Sequence, residues 1–178
     1  MTETHNNIGI AAAHVDRAAF ISAMRMVPGT IAIVAAADGE DRTGMAATAW
    51  ASLSADPPSL LICINLSASA NALIERTGTF SVSVVTIEDT ETVAIFSGQR
   101  GLNGRDRFES GRWVDGNLGL PLLTSSVMAC ECRATAHHVY GTHSVFFGDI
   151  FSLVSTAGAT PLLYADGGFA RAERLAAS

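Results

Sequence analysis

From Gly44 to Pro58 the chain reads Gly44-Met45-Ala46-Ala47-Thr48-Ala49-Trp50-Ala51-Ser52-Leu53-Ser54-Ala55-Asp56-Pro57-Pro58. The stretch has the pattern of a strand but almost no bulk. A strand that only fills a core carries Val, Ile and Phe. Here the alanines leave room, and Thr48, Ser52 and Ser54 add hydroxyls. A large flat molecule could lie against such a backbone, with Thr48 and the main chain of Ala47 and Ala49 facing it. Tight contact between strands would also require small side chains. Trp50 points away from Ala49 and Ala51 by alternation, so it is assigned to packing or an interface. Asp56-Pro57-Pro58 is expected to end the pairing, because proline has no N–H to donate.

A second polar constellation is Asn65-Leu66-Ser67-Ala68-Ser69-Ala70-Asn71. Here an apolar strand ends and a helix begins. A helix N-terminus carries unpaired N–H groups and the positive end of the dipole, which suits a phosphate. Ser67, Ser69 and Asn71 add donors. Ordinary capping by Ser69 explains the same residues.

Other chemistry finds little support. Cys130 and Cys132 share one face of a strand, and His137-His138 alternate faces. Tetrahedral convergence on a metal is poor from such positions, so these are assigned as core cysteines and surface histidines, with no metal. No Gly-x-Ser-x-Gly elbow and no Gly-x-Gly-x-x-Gly after a strand occurs. All 11 basic residues are arginine, which excludes lysine Schiff-base chemistry and a P-loop lysine. The net charge of -6 argues against nucleic acid or an anionic membrane as partner. No apolar run reaches membrane-spanning length, and Met1 to Ile10 lacks a signal pattern. The 3 cysteines have no framework spacing, so a reduced, cytoplasmic setting is expected.

The elements that must position these groups follow from periodicity. Residues 1–13 are expected to be disordered, and 14–178 to form a single domain. Val15 to Met24 reads as a helix with an apolar stripe of Val15, Phe20, Ile21 and Met24. Thr30 to Ala36 reads as a strand, with a hairpin at Asp38-Gly39 leading into the Gly44 strand. Leu60 to Asn65 reads as a strand buried on both faces. Ala70 to Arg76 reads as a helix capped by Ser69 and ended by Gly78. Phe80 to Thr86 is a strand with its serines on one face, and Asp89 caps a further helix. Gln99 to Asn117 reads as a long loop containing Arg100, Arg105, Arg107 and Arg112. Its guanidinium groups could hold an adenine nucleotide phosphate or simply be solvated. Val127 to Tyr140 and His143 to Val154 form a long hairpin, and Asp166-Gly167-Gly168 turns the last one. Several antiparallel strands with short helices point to a closed or partly closed barrel.

Six motifs, in order, resemble the flavin reductase family of split-barrel proteins. They are Gly44-Met45-Ala46-Ala47-Thr48, Ser54-Ala55-Asp56-Pro57-Pro58, and Leu60 to Ser69 with its Asn65-Leu66-Ser67-Ala68-Ser69 ending. Then follow Gly78-Thr79-Phe80-Ser81-Val82-Ser83-Val84-Val85, Gly141-Thr142-His143-Ser144-Val145-Phe146-Phe147-Gly148 and Pro161-Leu162-Leu163-Tyr164. Ala46 stands where the family usually has Thr, and Thr142 where it usually has Asp. The resemblance implies a mainly β fold, a split antiparallel Greek-key β-barrel with a few short flanking α-helices. It also implies a homodimer with flavin near the subunit interface. The implied activity is an NAD(P)H-dependent flavin reductase supplying reduced FMN or FAD to a separate monooxygenase, with FMN slightly favoured and NADH or NADPH as co-substrate. Flavin contacts then fall to Ala47, Thr48, Ala49, Ser52, Asn65, Ser67, Ser69 and Asn71. His143 becomes the candidate catalytic residue, positioning nicotinamide or assisting proton movement; the alternative is a polar residue at a hairpin mouth. Two rival functions are a flavin-binding electron carrier and a self-contained flavin oxidoreductase of a small organic substrate.

Overall fold

The structure is a computed structural model and describes residues 15–110 and 112–174. The expected disordered tail, 1–13, lies outside them. In chain order the first elements are α1 (Arg17–Arg25), β1 (Gly29–Thr30), β2 (Ala32–Asp38), β3 (Asp41–Ala47), β4 (Trp50–Ala55) and β5 (Pro58–Asn65). Next come α2 (Ser69–Thr77), β6 (Thr79–Val84), α3 (Thr90–Phe96), β7 (Trp113–Asp115) and β8 (Pro121–Leu123). The chain closes with β9 (Met128–Tyr140), β10 (His143–Ser155), β11 (Leu162–Ala165) and β12 (Gly168–Arg171). The fold is mainly β and its pairings are antiparallel, as expected.

Seven strands form the main sheet in the order β3-β2-β6-β9-β10-β5-β4. β3 and β4 are therefore its two edges, yet only Thr48 and Ala49 separate them in the chain. Consecutive Cα atoms are about 3.8 Å apart, so the Cα atoms of Ala47 and Trp50 lie within about 11 Å. The sheet must roll until its edges nearly meet, which makes a barrel split at Thr48-Ala49. This corrects the reading of Gly44 to Ala55 as one strand: it is two strands on opposite edges. Trp50 secures the far side of the split, its Nε1 donating to Thr30 O at 2.9 Å.

β2 has apolar residues at every position from Ala32 to Ala36 because both its faces are covered. Ala32, Val34 and Ala36 join Ile62, Ile64, Phe80, Val82, Phe146 and the α2 residues Leu73 and Ile74. Ile33 and Ala35 join Val93 and Phe96 of α3, with Phe108, Leu123 and Leu162. Each fully buried Val, Leu, Ile or Phe side chain among them contributes roughly 1.5–3 kcal/mol. By contrast, β5 is not buried on both faces. Leu60, Ile62 and Ile64 are buried while Leu61, Cys63 and Asn65 are half-covered. The serines of β6 are buried too: Ser81 Oγ donates to Pro121 O at 2.7 Å, and Ser83 Oγ accepts from Leu123 N at 3.1 Å.

Turn chemistry sets the connections. Asp56-Pro57 is a turn rather than the end of pairing, since Ala55 pairs with Pro58 and proline is tolerated as a strand's first residue. Gly78 ends α2 in the left-handed region at φ 67°. Ala68, not Ser69, is the N-cap of α2, and no side chain caps that helix. Asp89 occupies the N-cap position of α3 but turns its carboxylate elsewhere. The segment Gln99 to Asn117 is not a bare loop, for it contains a 3₁₀ turn at Gly104–Phe108 and β7. Among the described residues no helix is long and apolar enough to cross a membrane.

Candidate functional site

β3 is an edge strand, and its uncovered side forms the floor of a groove with three successive compartments. Ala46, Ala47 and Thr48 line the first, a 320 Å³ cavity walled by Ile31, Val93, Tyr164 and Phe169. Gly44 and Met45 line the second, of 390 Å³, where Ser67, Ser69, Ser97 and Arg107 supply polar groups. Asp41, Arg42 and Thr43 line the third, of 370 Å³, with Ala72, Arg76, Asn103 and again Ser69 and Arg107. Ser97 is shared by the first and second compartments, and Ser69 and Arg107 by the second and third, so the three cavities adjoin along β3.

The first compartment is lined mainly by apolar and aromatic side chains, with Thr48, Ser97 and Gln99 as its polar groups. Its outer wall is an aromatic pair: Tyr164 and Phe169 face each other across the β11–β12 hairpin, ring centroids 6.3 Å apart and planes at 71°. Gly44 has to be glycine, because a Cβ there would meet the Phe96 ring and Val34 O, each at 2.9 Å. That close packing seats α3 under the groove.

The second compartment is built by the turn after β5. Asn65 Oδ1 accepts from Ser67 N at 2.9 Å and from Ser67 Oγ at 2.8 Å, fixing a tight Asx turn. Ser69 Oγ shares a 2.6 Å hydrogen bond with Thr43 Oγ1, which holds α2 against β3. Asn71, in the first turn of α2, is buried at 3% exposed, with Nδ2 directed at Ile64 O at 3.5 Å. Asn65 and Asn71 thus shape the loop from behind.

Arg107 completes the second compartment. Its Nε donates to Leu102 O at 2.9 Å and its Nη1 to Gly44 O at 2.5 Å. Among the described residues no carboxylate pairs with it. The other loop arginines are paired: Arg100 with Glu91, Arg105 with Glu40 and Arg112 with Asp89. Hydrogen bonding from Arg100 holds the Glu91 carboxyl below its usual value. The open choice between phosphate fork and solvated loop therefore divides by residue, and Arg107 alone of the four lines the groove.

Three other candidates lie outside the groove. Ser52 is exposed on β4, paired opposite Leu60. Ala49 sits at the split, its carbonyl accepting from Cys63 N at 2.8 Å. His143 opens β10 in register with Asn65 and Tyr140, and its Nδ1 lies 2.9 Å from Thr142 Oγ1. Cys130 and Cys132 are buried with sulfurs 3.8 Å apart, while His137 and His138 are exposed. Sequence reasoning missed Tyr164, Phe169 and Ser97 as lining residues. The two-residue Asp166-Gly167 turn, with φ of 48° and 83°, was the available signal: it sets Tyr164 opposite Phe169.

A rolled antiparallel sheet, an apolar slot on one edge strand and a hydroxyl- and arginine-lined end are the features that a ligand with an apolar part and an anionic part would fit. Residues 24–173 match the flavin reductase like domain, and the chain belongs to that family. It is 33% identical over 167 residues to FMN reductase (NADH) RutF 1 of Methylorubrum extorquens, spanning 93% of this chain and 80% of that one. It is 35% identical over 147 residues to the reductase component of the FADH(2)-dependent resorcinol hydroxylase of a Rhizobium species, spanning 82% and 81%. Among solved structures, the NADH:FAD oxidoreductase SgcE6 of Streptomyces globisporus superposes with a TM-score of 0.81 at 25% identity, covering 93% of this chain and all of that one.

Proposed function

We propose that the protein is an NAD(P)H:flavin oxidoreductase that supplies reduced flavin to a separate oxygenase component. The observation that carries the reading is the groove on β3, which passes from an apolar slot to a hydroxyl-lined pocket with an uncompensated guanidinium. A flavin has the matching polarity, with a flat ring at one end and a phosphate at the other. The family membership and the relatives' names support the same reading.

The residues divide the work. Ala46 and Ala47 keep the slot open, Thr48 offers a hydroxyl at its rim, and Tyr164 and Phe169 close its outer side. Ser67 and Ser69 meet the phosphate with Arg107, while Asn65 and Asn71 hold the turn that presents them. Flavin held by these residues would supply the redox chemistry of a nicotinamide-dependent reduction. The protein contributes orientation, which makes the transfer effectively unimolecular. His143, its imidazole tied to Thr142, orients the nicotinamide from the flank of the Asn65 turn. Ser52 joins the site from outside the groove of one chain, as in a homodimer that seats flavin near its interface. The exposed apolar residues Phe20 and Met24 of α1 and Leu153 and Val154 of β10 support such a dimer. A cytoplasmic location suits both the nicotinamide co-substrate and the free thiols.

The test is NADH and NADPH oxidation by purified protein with added FMN or FAD, alongside light scattering for the dimer. Flavin reduction that outpaces any other acceptor supports the reading. A protein that binds flavin yet never oxidises either nucleotide would instead be an electron carrier.

A further inference from the structure

We propose that α1 carries a phosphomonoester site that selects NADPH over NADH. The inference rests on the reading that a reduced nicotinamide nucleotide is the co-substrate. Arg17, Ile21 and Arg25 recur every four residues, so they share one face of α1. With Ser22 and Asp166 they line a cavity of 770 Å³, larger than any compartment of the groove on β3. The two arginines are about 12 Å apart along the helix axis. Both guanidinium groups and the Ser22 hydroxyl border the same space, and α1 buries none of its residues, so this face is open to a ligand.

Among the described residues neither guanidinium pairs with a carboxylate. Arg25 Nη2 donates only to the main-chain oxygen of Asp166, at 3.5 Å. The Asp16 carboxylate is engaged at the start of α1, accepting from Ala19 N at 2.8 Å. Asp166 is the one acid lining the cavity, so two cations face one anion and a positive charge remains. In a chain of net charge -6, that remainder is a local attractor for an anion.

The cavity has a fixed relation to the first compartment. Asp166 N donates to Arg25 O at 2.6 Å, which ties the end of α1 to the Asp166-Gly167 turn. A Cβ on Gly167 would strike the Arg25 guanidinium, so that group lies directly on the turn. The same turn joins Tyr164 to Phe169, the aromatic wall of the slot. Tyr164 and Asp166 are two residues apart, about 7 Å of extended chain. The slot and the cationic cavity therefore flank one short hairpin. A dinucleotide with its nicotinamide at the slot can cross that width and bring its adenosine end to α1. NADPH differs from NADH only in the 2′-phosphate of that adenosine, and its oxygens match the planar fork of a guanidinium.

The experiment measures NADH and NADPH oxidation with added FMN, and calorimetric binding of adenosine 2′,5′-bisphosphate and of 5′-AMP. It compares the wild type with Arg17→Gln and Arg17→Lys, since Arg17 is exposed and its loss leaves the Arg25 contact with the turn in place. The wild-type KM for NADPH should lie about tenfold or more below that for NADH, the increment of charge-assisted contacts. The bisphosphate should bind more tightly than 5′-AMP by a similar factor. Arg17→Gln should bring NADPH to the NADH level and the bisphosphate to the 5′-AMP level, with the KM for NADH unchanged. Arg17→Lys should restore part of both differences. Equal KM values in the wild type, or a preference that survives Arg17→Gln, overturns the proposal. So does an equal loss for both nucleotides, which would give Arg17 to the pyrophosphate they share. A protein that oxidises neither nucleotide, yet binds the bisphosphate through Arg17, would remove the reductase reading and leave the phosphate site standing.

Discussion

Arg107 Nη1 donates to the carbonyl oxygen of Gly44 at 2.5 Å, across 63 residues of chain. The bond hooks the segment after α3 onto the free edge of β3. It also aims a charged group along the groove. Arg107 therefore has two roles, and they are separable by choice of ligand.

Arg107→Met should weaken FMN and FAD about tenfold to a hundredfold, from the roughly 1.5–3 kcal/mol of a hydrogen bond to a charged group. Riboflavin, which lacks the phosphate, should bind as in the wild type. Fluorescence quenching with the three ligands decides. An equal loss for riboflavin would mean that Arg107 only anchors its loop.

Ala47→Val should lower riboflavin affinity, because Ala47 lines the apolar slot. Valine suits a strand, so the melting temperature should hold. Ala49→Val, at the split and outside the slot, should leave riboflavin affinity unchanged. Equal effects of the two substitutions on binding would contradict the location of the ring.

His143→Ala should raise the KM for NADH while flavin affinity stays near wild type. Loss of ground-state binding alone moves KM; lost orientation for transfer also lowers kcat. Stopped-flow reduction at saturating NADH separates the two. Wild-type values of both would leave His143 as a polar residue at a hairpin mouth.

Asp89 is 1% exposed and accepts from Thr86 N, Thr86 Oγ1, Arg112 Nη1 and Ser125 Oγ. It joins the end of β6 to the segments on either side of the β7–β8 pair. Asp89→Ala should cost roughly 2–3 kcal/mol by leaving these donors unpaired. Urea denaturation measures it. A change under about 0.5 kcal/mol, the usual size for a surface substitution, would show that water replaces the carboxylate.

The hydrogen-bonding contact with Cys130, together with burial, pushes the Cys132 thiol up from its ordinary value. Its folded pKa then exceeds the unfolded value of about 8.5. The neutral thiol's contribution to stability is fully present below that pH and is lost as pH rises above it. Urea midpoints at pH 7.5 and at pH 10, chosen on either side of roughly 8.5, should fall more for the wild type than for Cys132→Ala. Identical falls would refute the linkage.

The local elements were legible from the residues themselves. The β9–β10 hairpin around Gly141, the helix ended by Gly78 and the turn at Asp166-Gly167 all depend on neighbours in sequence. Side-chain alternation and positive-φ turn positions encode them directly. The Asn65 turn with Ser67 was legible for the same reason.

Only the tertiary structure decided where the groove lies. The small residues from Gly44 to Ala55 looked like one strand because local pattern does not record which partner a strand meets. Two residues, Thr48 and Ala49, separate opposite edges of one rolled sheet, so Ala47 enters the slot and Ser52 does not. The four loop arginines are likewise equivalent in sequence. Three meet carboxylates and Arg107 meets only backbone carbonyls, because its 3₁₀ turn packs on β3 while Phe108 is anchored against Phe96 of α3 and Trp113 of β7. Charge type is local, whereas charge compensation depends on contacts between residues far apart in the chain. The sequence by itself thus determined the family and the chemistry available to this protein. Folding determined which of those groups share a groove, because burial and pairing act through space.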